Sequence, residues 1–77
     1  MQSIEESILC IFGSILNREV SKDSNFFSLG GDSLEMSDIV YHINQKYHIE
    51  IRSKDLLALG GDLETIIEEI QKHIIAT

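Results

Sequence analysis

The stretch that decides the fold is FFSLGGDSL, residues 26–34, in which two phenylalanines and two glycines precede an Asp-Ser pair. Asp32 is a favourable N-cap, and Glu35 follows three residues later in a pattern like a capping box, so a helix is predicted to begin at Ser33. Phenylalanine left in water costs ~25 cal/mol per Å² of apolar area, so at least one of the pair should pin this segment to the core. The stretch therefore predicts a loop that closes onto the core and places a serine in the first turn of a helix.

On both sides of this stretch, apolar residues repeat at helical spacing. The first predicted helix runs from about Ser3 to Asn17, and Ser3 with Glu6 forms a capping box. Three more helices are predicted: from Ser33 to an end near Lys46 and His48, from Lys54 to Leu59 with Ser53 as its cap, and from about Leu63 to Ile75 with Asp62 as its cap. The second is expected to bury Met36, Ile39, Val40, Ile43 and Tyr47.

The connections between these helices complete the predicted architecture. Residues 18–32 form a connection longer than is usual in compact domains, and such loops are often functional. Residues 48–52 alternate polar and apolar side chains but are too isolated for a sheet, so they are interpreted as an extended connector. The predicted fold class is all-α: one domain, residues 1–77, forming a small four-helix bundle of three main amphipathic helices and one short helix.

Length and charge exclude several classes of function. The chain has 77 residues and a net charge of −7, from 6 Lys+Arg and 13 Asp+Glu. The negative charge disfavours nucleic acid and anionic membranes, and it favours partners with a basic docking face. So small a domain leaves little room for the deep cleft of a self-sufficient enzyme. With no apolar run of ~18 residues and an acidic N-terminus, a cytoplasmic protein without membrane insertion is expected.

Two side chains invite a chemical interpretation that the residues themselves do not favour. Cys10 is the single cysteine, so it cannot form an internal disulfide, and it is expected to be a small, partly buried hydrophobe. Ser33 lies in GDSLE, which approaches the G-x-S-x-G elbow of hydrolases but has Glu35 in place of the last glycine. That elbow also requires a preceding strand, whereas a loop is predicted here, so self-contained hydrolysis is disfavoured. No metal site is expected, because no Cys/His cluster has zinc spacing.

The longer pattern DxNFFxLGGDSL, residues 23–34, resembles the attachment motif of the phosphopantetheine-binding carrier proteins. The paired glycines and the aromatic lead-in resemble most closely the peptidyl (thiolation) carriers of nonribosomal peptide synthesis. The resemblance covers nearly the whole chain and implies a fold like that of acyl carrier proteins. One departure is the segment LGGDL, residues 59–63, where carriers often have an Asn-Pro-Thr-like turn. It mimics residues 29–34 without the serine and is interpreted as a decoy.

The resemblance implies a carrier that catalyses nothing itself. Ser33 would receive 4′-phosphopantetheine from coenzyme A through a separate phosphopantetheinyl transferase, and the thiol of the arm would hold an aminoacyl or acyl group as a thioester. Gly30, Gly31, Asp32 and Leu34 match motif positions around the serine. The implied partners are an adenylation enzyme and downstream condensation or ketosynthase, tailoring or thioesterase enzymes, and a monomer is expected.

A partner surface is predicted beside this serine. Leu34, Asp38 and Tyr41 recur on one stripe of the second helix, with Glu35 next to them, and such a mixed apolar and acidic stripe suits brief docking to basic-rimmed grooves. Leu56 and Leu57 would extend it, although at least one of the two is expected in the core. Three alternatives stay open: an acyl carrier of polyketide or fatty-acid synthesis, a D-alanyl carrier, and a helical interaction module without a prosthetic group.

Overall fold

The computed structural model describes residues 3–76 and folds that part of the chain into four helices. They are α1 (Ile4–Leu16), α2 (Ser33–Tyr47), α3 (Ser53–Leu57) and α4 (Leu63–Ala76). Within residues 3–76 no strand is present, although an isolated β-bridge joins Asn25 to Asp62. The prediction of an all-α, four-helix fold with a long first loop is confirmed.

The starts of α1 and α2 follow the local capping signals. The Ser3 hydroxyl accepts the backbone N–H of Glu6 at 3.1 Å, and the Glu6 side chain reaches back to the Ser3 backbone N–H, which completes the predicted capping box. The Asp32 carboxylate accepts the backbone N–H of Glu35 at 3.0 Å, so α2 begins at Ser33 as expected. Each helix is followed by a C-cap residue in the left-handed conformation, Asn17 after α1 and His48 after α2.

The prediction for α3 is wrong in its cap and its bounds. This helix begins at Ser53 rather than Lys54, and it ends at Leu57 rather than Leu59. Arg52 takes the N-cap position, where its carbonyl accepts the N–H groups of Asp55 and Leu56 and no side chain caps the helix. Ser53 is already helical, and its hydroxyl lies 3.5 Å from that of Ser37 on α2.

A single core contains residues of all four helices and of the two connections that come before and after α2. Phe26 from the first loop and Ile49 and Ile51 from the second connection are buried in it together with the inward faces of the helices. The helical core residues are Ile8, Phe12, Met36, Ile39, Val40, Ile43, Leu56, Leu63, Ile66, Ile67 and Ile70. Tyr47 is only half-buried at its edge. Cys10 is exposed, so the expectation of a partly buried thiol is wrong: its position lies beyond the edge of the apolar stripe of α1.

Among the helices of residues 3–76, none combines the length and the apolar character that a bilayer crossing requires.

Candidate functional site

Ser33 is the first residue of α2, and its side chain is exposed. Asp32, directly before it, has an extended backbone and makes two hydrogen bonds to the first turn of the helix. Its carboxylate accepts the N–H of Glu35, and its carbonyl accepts the N–H of Met36 at 3.0 Å. The first N–H groups of a helix have no acceptor within the helix and carry partial positive charge. A hydroxyl is therefore presented to solvent at the positive end of a helix.

The Phe26 ring fixes the backbone that leads to this serine. It is fully buried and meets the Phe12 ring edge-on, with 6.1 Å between centroids. A Cβ placed on Gly31 would lie 2.4 Å from the nearest atom of the Phe26 ring, so the Gly31 backbone rests directly on that ring. The Gly31 N–H also donates to the Phe26 carbonyl at 3.0 Å. One buried aromatic residue therefore determines how closely the backbone approaches the core at Gly31, two residues before Ser33.

Side-chain hydrogen bonds hold the rest of this turn. The Asn25 Oδ1 accepts the backbone N–H groups of Phe27 at 2.9 Å and Ser28 at 3.1 Å, as Asn does in an Asx turn. The Arg18 guanidinium donates to the Leu29 carbonyl at 3.2 Å and ties the end of α1 to the same turn. Asn25 belongs to the motif quoted above, but its role in the turn is visible only in the structure. The role of Arg18 was not predicted, because its partner lies eleven residues away and no local sequence signal marks the contact.

The predicted partner surface on α2 faces solvent, but Leu56 on α3, which was predicted to extend it, does not. The side chains of Leu34 and Tyr41 are 77% and 61% exposed, Asp38 is exposed and Glu35 is half-buried. These four residues lie along the outer side of α2, beside Ser33. Leu56 is a correction: it is 1% exposed and belongs to the core, so its side chain offers no surface to a partner. Of the two adjacent leucines on α3, Leu57 is the one that reaches the surface in part.

Ser33 is exposed and lies outside two grooves that the described part of the chain forms elsewhere. Two shallow grooves, of ≈ 530 Å³ and ≈ 360 Å³, are both lined by residues of α1, including Cys10, and Ser33 lines neither of them. Turns and irregular chain occupy residues 26–32, so Ser33 does not follow a strand as a hydrolase elbow requires. The arrangement suits a hydroxyl that is modified or recognised by a second molecule.

Comparison with known families identifies one match. A family model described as "Phosphopantetheine attachment site" matches residues 6–70, which include most of α1, all of α2 and α3, and about half of α4. Comparisons with curated proteins and with solved structures gave no significant match. The matched region contains every residue described above around Ser33.

Proposed function

The chain belongs to the family of phosphopantetheine attachment domains, and from this premise we propose that Ser33 is the residue that bears the group. Members of the family carry 4′-phosphopantetheine covalently and are in general carriers without catalytic activity of their own. The observation that supports Ser33 is its exposed hydroxyl at the first position of α2, within the sequence GGDSL.

The residues around Ser33 fit this group. A phosphodiester on the Ser33 oxygen would stand at the N-terminus of α2, where the helix dipole favours negative charge. Gly30 leaves open space, since a Cβ at that position would meet nothing within 4 Å. When bound, the group supplies a terminal thiol that holds a cargo as a thioester. The protein supplies a rigid attachment point, through the Asp32 cap and the Phe26 ring beneath Gly31.

The attachment site is tested by intact-mass measurement after incubation with coenzyme A and a broad-specificity phosphopantetheinyl transferase. The wild-type chain should gain the mass of one phosphopantetheine group, and Ser33→Ala should gain none. Ser28→Ala is the matched control, because Ser28 is also an exposed serine of the same motif and should leave modification intact. Modification of Ser33→Ala would overturn the assignment of the site, and an unmodified wild-type chain would favour the interaction module without a prosthetic group.

We propose further that the cargo is an aminoacyl or related group of nonribosomal peptide synthesis. The support is the Gly30-Gly31 pair with its aromatic lead-in, which resembles the peptidyl carriers most closely. The phosphopantetheinylated protein should then be loaded by an amino-acid-activating adenylation enzyme, tested across a panel of such enzymes. Loading by a malonyl transferase alone would favour the acyl carrier of polyketide or fatty-acid synthesis, and loading with D-alanine alone would favour the D-alanyl carrier.

We propose that partner enzymes dock on the outer side of α2, at Leu34, Glu35, Asp38 and Tyr41. Leu34 tests this well because Ile75 on α4 has nearly the same exposure, 77% against 76%, in another part of the chain. Leu34→Ala should raise the KM of the transferase for the carrier, and Ile75→Ala should leave it unchanged, with both unfolding midpoints near that of the wild type. Equal effects of the two variants would contradict a docking surface on α2.

A further inference from the structure

The second Gly-Gly-Asp segment, within residues 59–63, pairs with the loop that leads to Ser33. The Gly61 carbonyl accepts the N–H of Phe26 at 2.7 Å, and the N–H of Leu63 donates to the Ser24 carbonyl at 3.2 Å. Asn25 and Asp62, between these two bonds, form the isolated β-bridge. The segment that resembles the attachment motif but lacks its serine is therefore hydrogen-bonded to residues 18–32, the attachment loop that leads to Ser33.

Gly61 occupies a position that no other residue fits without displacement of its neighbours. It is buried, and its φ of +90° lies in the region that favours glycine. A Cβ at Gly61 would lie 2.6 Å from Cδ2 of Phe27 and 3.0 Å from Oδ1 of Asn25. The same Asn25 oxygen accepts the N–H groups of Phe27 and Ser28, so a Cβ here would push against the turn at two points.

Direct contacts continue from Gly61 towards Ser33. The Phe27 ring that covers Gly61 meets the Phe26 ring with 5.6 Å between centroids. The Phe26 ring supports Gly31, which is bonded to the Phe26 carbonyl two residues before Ser33. The Phe26 N–H is itself held by the Gly61 carbonyl. Gly61 thus contacts this loop both through a backbone hydrogen bond to Phe26 and through the Phe27 ring.

We infer that Gly61 is a positioning residue for modification at Ser33. Because it has no Cβ, Phe27 and Asn25 can pack directly against its backbone, and these contacts determine the path of the attachment loop. This inference rests on the proposed function of Ser33. It assigns a role to the second Gly-Gly-Asp segment, which the sequence alone indicated only as a copy without a serine. Gly61 touches no reacting atom, so its effect is exerted through the contacts of the loop.

The adjacent glycine provides a matched control. Gly60 has a φ of +91°, so alanine there strains the backbone as alanine does at Gly61. A Cβ on Gly60, however, would meet nothing within 4 Å. Gly60→Ala therefore reports the backbone strain alone, and the difference between the two variants reports the displacement of Phe27 and Asn25.

The experiment measures modification of the full chain by a phosphopantetheinyl transferase, at a temperature where circular dichroism shows each variant folded. Gly61→Ala should lower kcat/KM by roughly tenfold or more relative to Gly60→Ala, because a displacement of about 1 Å can cost up to ~10²-fold in rate. The loss should fall on kcat, since the outer side of α2 is unaltered. The backbone amide resonances of Gly31 and Ser33 should move in Gly61→Ala and stay near their wild-type positions in Gly60→Ala.

Removal of the Phe27 ring provides the second comparison. Once Phe27→Ala is present, the difference in kcat between the additional changes Gly61→Ala and Gly60→Ala should shrink to the part that the Asn25 contact causes. This pair remains informative if Gly61→Ala alone does not fold. Equal kcat for Gly61→Ala and Gly60→Ala, or a difference of the same size with and without the Phe27 ring, would overturn the role of Gly61. An unmodified wild-type chain would instead refute the proposed function of Ser33, so the two failures are distinguishable.

Discussion

Gly30 and Gly31 stand side by side for two different physical reasons. Gly30 has a φ of +88°, a conformation that residues with a Cβ rarely adopt, and it borders open space. Gly31 has no such conformational need, but the Phe26 ring fills the volume that its Cβ would take. The first glycine turns the chain and the second lets it lie on the core, and together they bring Ser33 to the surface at the start of α2.

A double-mutant cycle tests the contact between Gly31 and Phe26. Gly31→Ala should lower the free energy of unfolding by about 1–3 kcal/mol, the usual effect of overpacking a filled core. In the Phe26→Leu background the same change should cost less, because the smaller side chain leaves room for the Cβ. The measurement is urea unfolding of the four proteins, and additive losses would contradict direct contact as the reason for Gly31.

The start of α2 separates the capping role of Asp32 from its charge. Asp32→Ala removes the acceptor for the Glu35 N–H and should lower the free energy of unfolding by about 1 kcal/mol. Asp32→Asn keeps an N-cap oxygen, so its unfolding midpoint should stay near that of the wild type. Thermal unfolding of both variants checks this, and equal losses would show that the charge rather than the cap stabilises α2.

At the scale of the elements, one side chain of α2 holds the connector between α2 and α3. The Asn44 amide donates to the Ile51 carbonyl at 3.1 Å and its oxygen accepts the Ile51 N–H at 3.0 Å. Ile51 is buried, so these bonds satisfy backbone groups that are shielded from water. The extended connector predicted from its alternating sequence is thus held to α2 by two hydrogen bonds between one side-chain amide and the backbone of one residue.

Loss of the two hydrogen bonds between Asn44 and Ile51 should destabilise the fold. Asn44→Ala should lower the free energy of unfolding by about 1–3 kcal/mol or more, because it leaves the N–H and the carbonyl of Ile51 unsatisfied. Gln45→Ala, the next residue along α2 and exposed, is the control and should change stability by no more than about 0.5 kcal/mol. Chemical denaturation measures both, and a tolerant Asn44→Ala would show that water replaces the side chain.

At the scale of the whole molecule, the effect of the excess negative charge on partner binding depends on where the acidic residues lie. The net charge is −7, and acidic residues lie both beside Ser33, at Glu35 and Asp38, and on α4, at Glu64 and Glu68. Charges on a docking face accelerate association with an oppositely charged partner, and they do so more at low ionic strength. Charges elsewhere contribute mainly to solubility.

Two charge-reversal variants with the same net charge test this location. Glu35→Lys with Asp38→Lys should slow modification by the transferase by about an order of magnitude or more at low salt, within the range that steering provides. Glu64→Lys with Glu68→Lys should slow it far less. The difference should shrink as salt is added, because exposed charges are screened beyond a Debye length. Transferase kinetics that do not change across the salt series would remove the steering argument.

The sequence by itself determined the features that depend on near neighbours along the chain. The caps at Ser3 and Asp32, and the buried and exposed faces of α2, follow from spacings of three and four residues, which bring side chains together on any helix. The predicted burial of one phenylalanine in the loop was correct for the same reason of scale, since apolar area that large must leave water somewhere.

Only the tertiary structure decided which of several locally equivalent residues meets which neighbour. It buried Leu56 rather than Leu57, began α3 at Ser53, exposed Cys10, and joined Asn44 to Ile51 and Arg18 to Leu29. It also placed Gly61 against Phe27, thirty-four residues away along the chain. Such contacts depend on how close two backbones approach across the core, and the helical period of either partner carries no information about that distance.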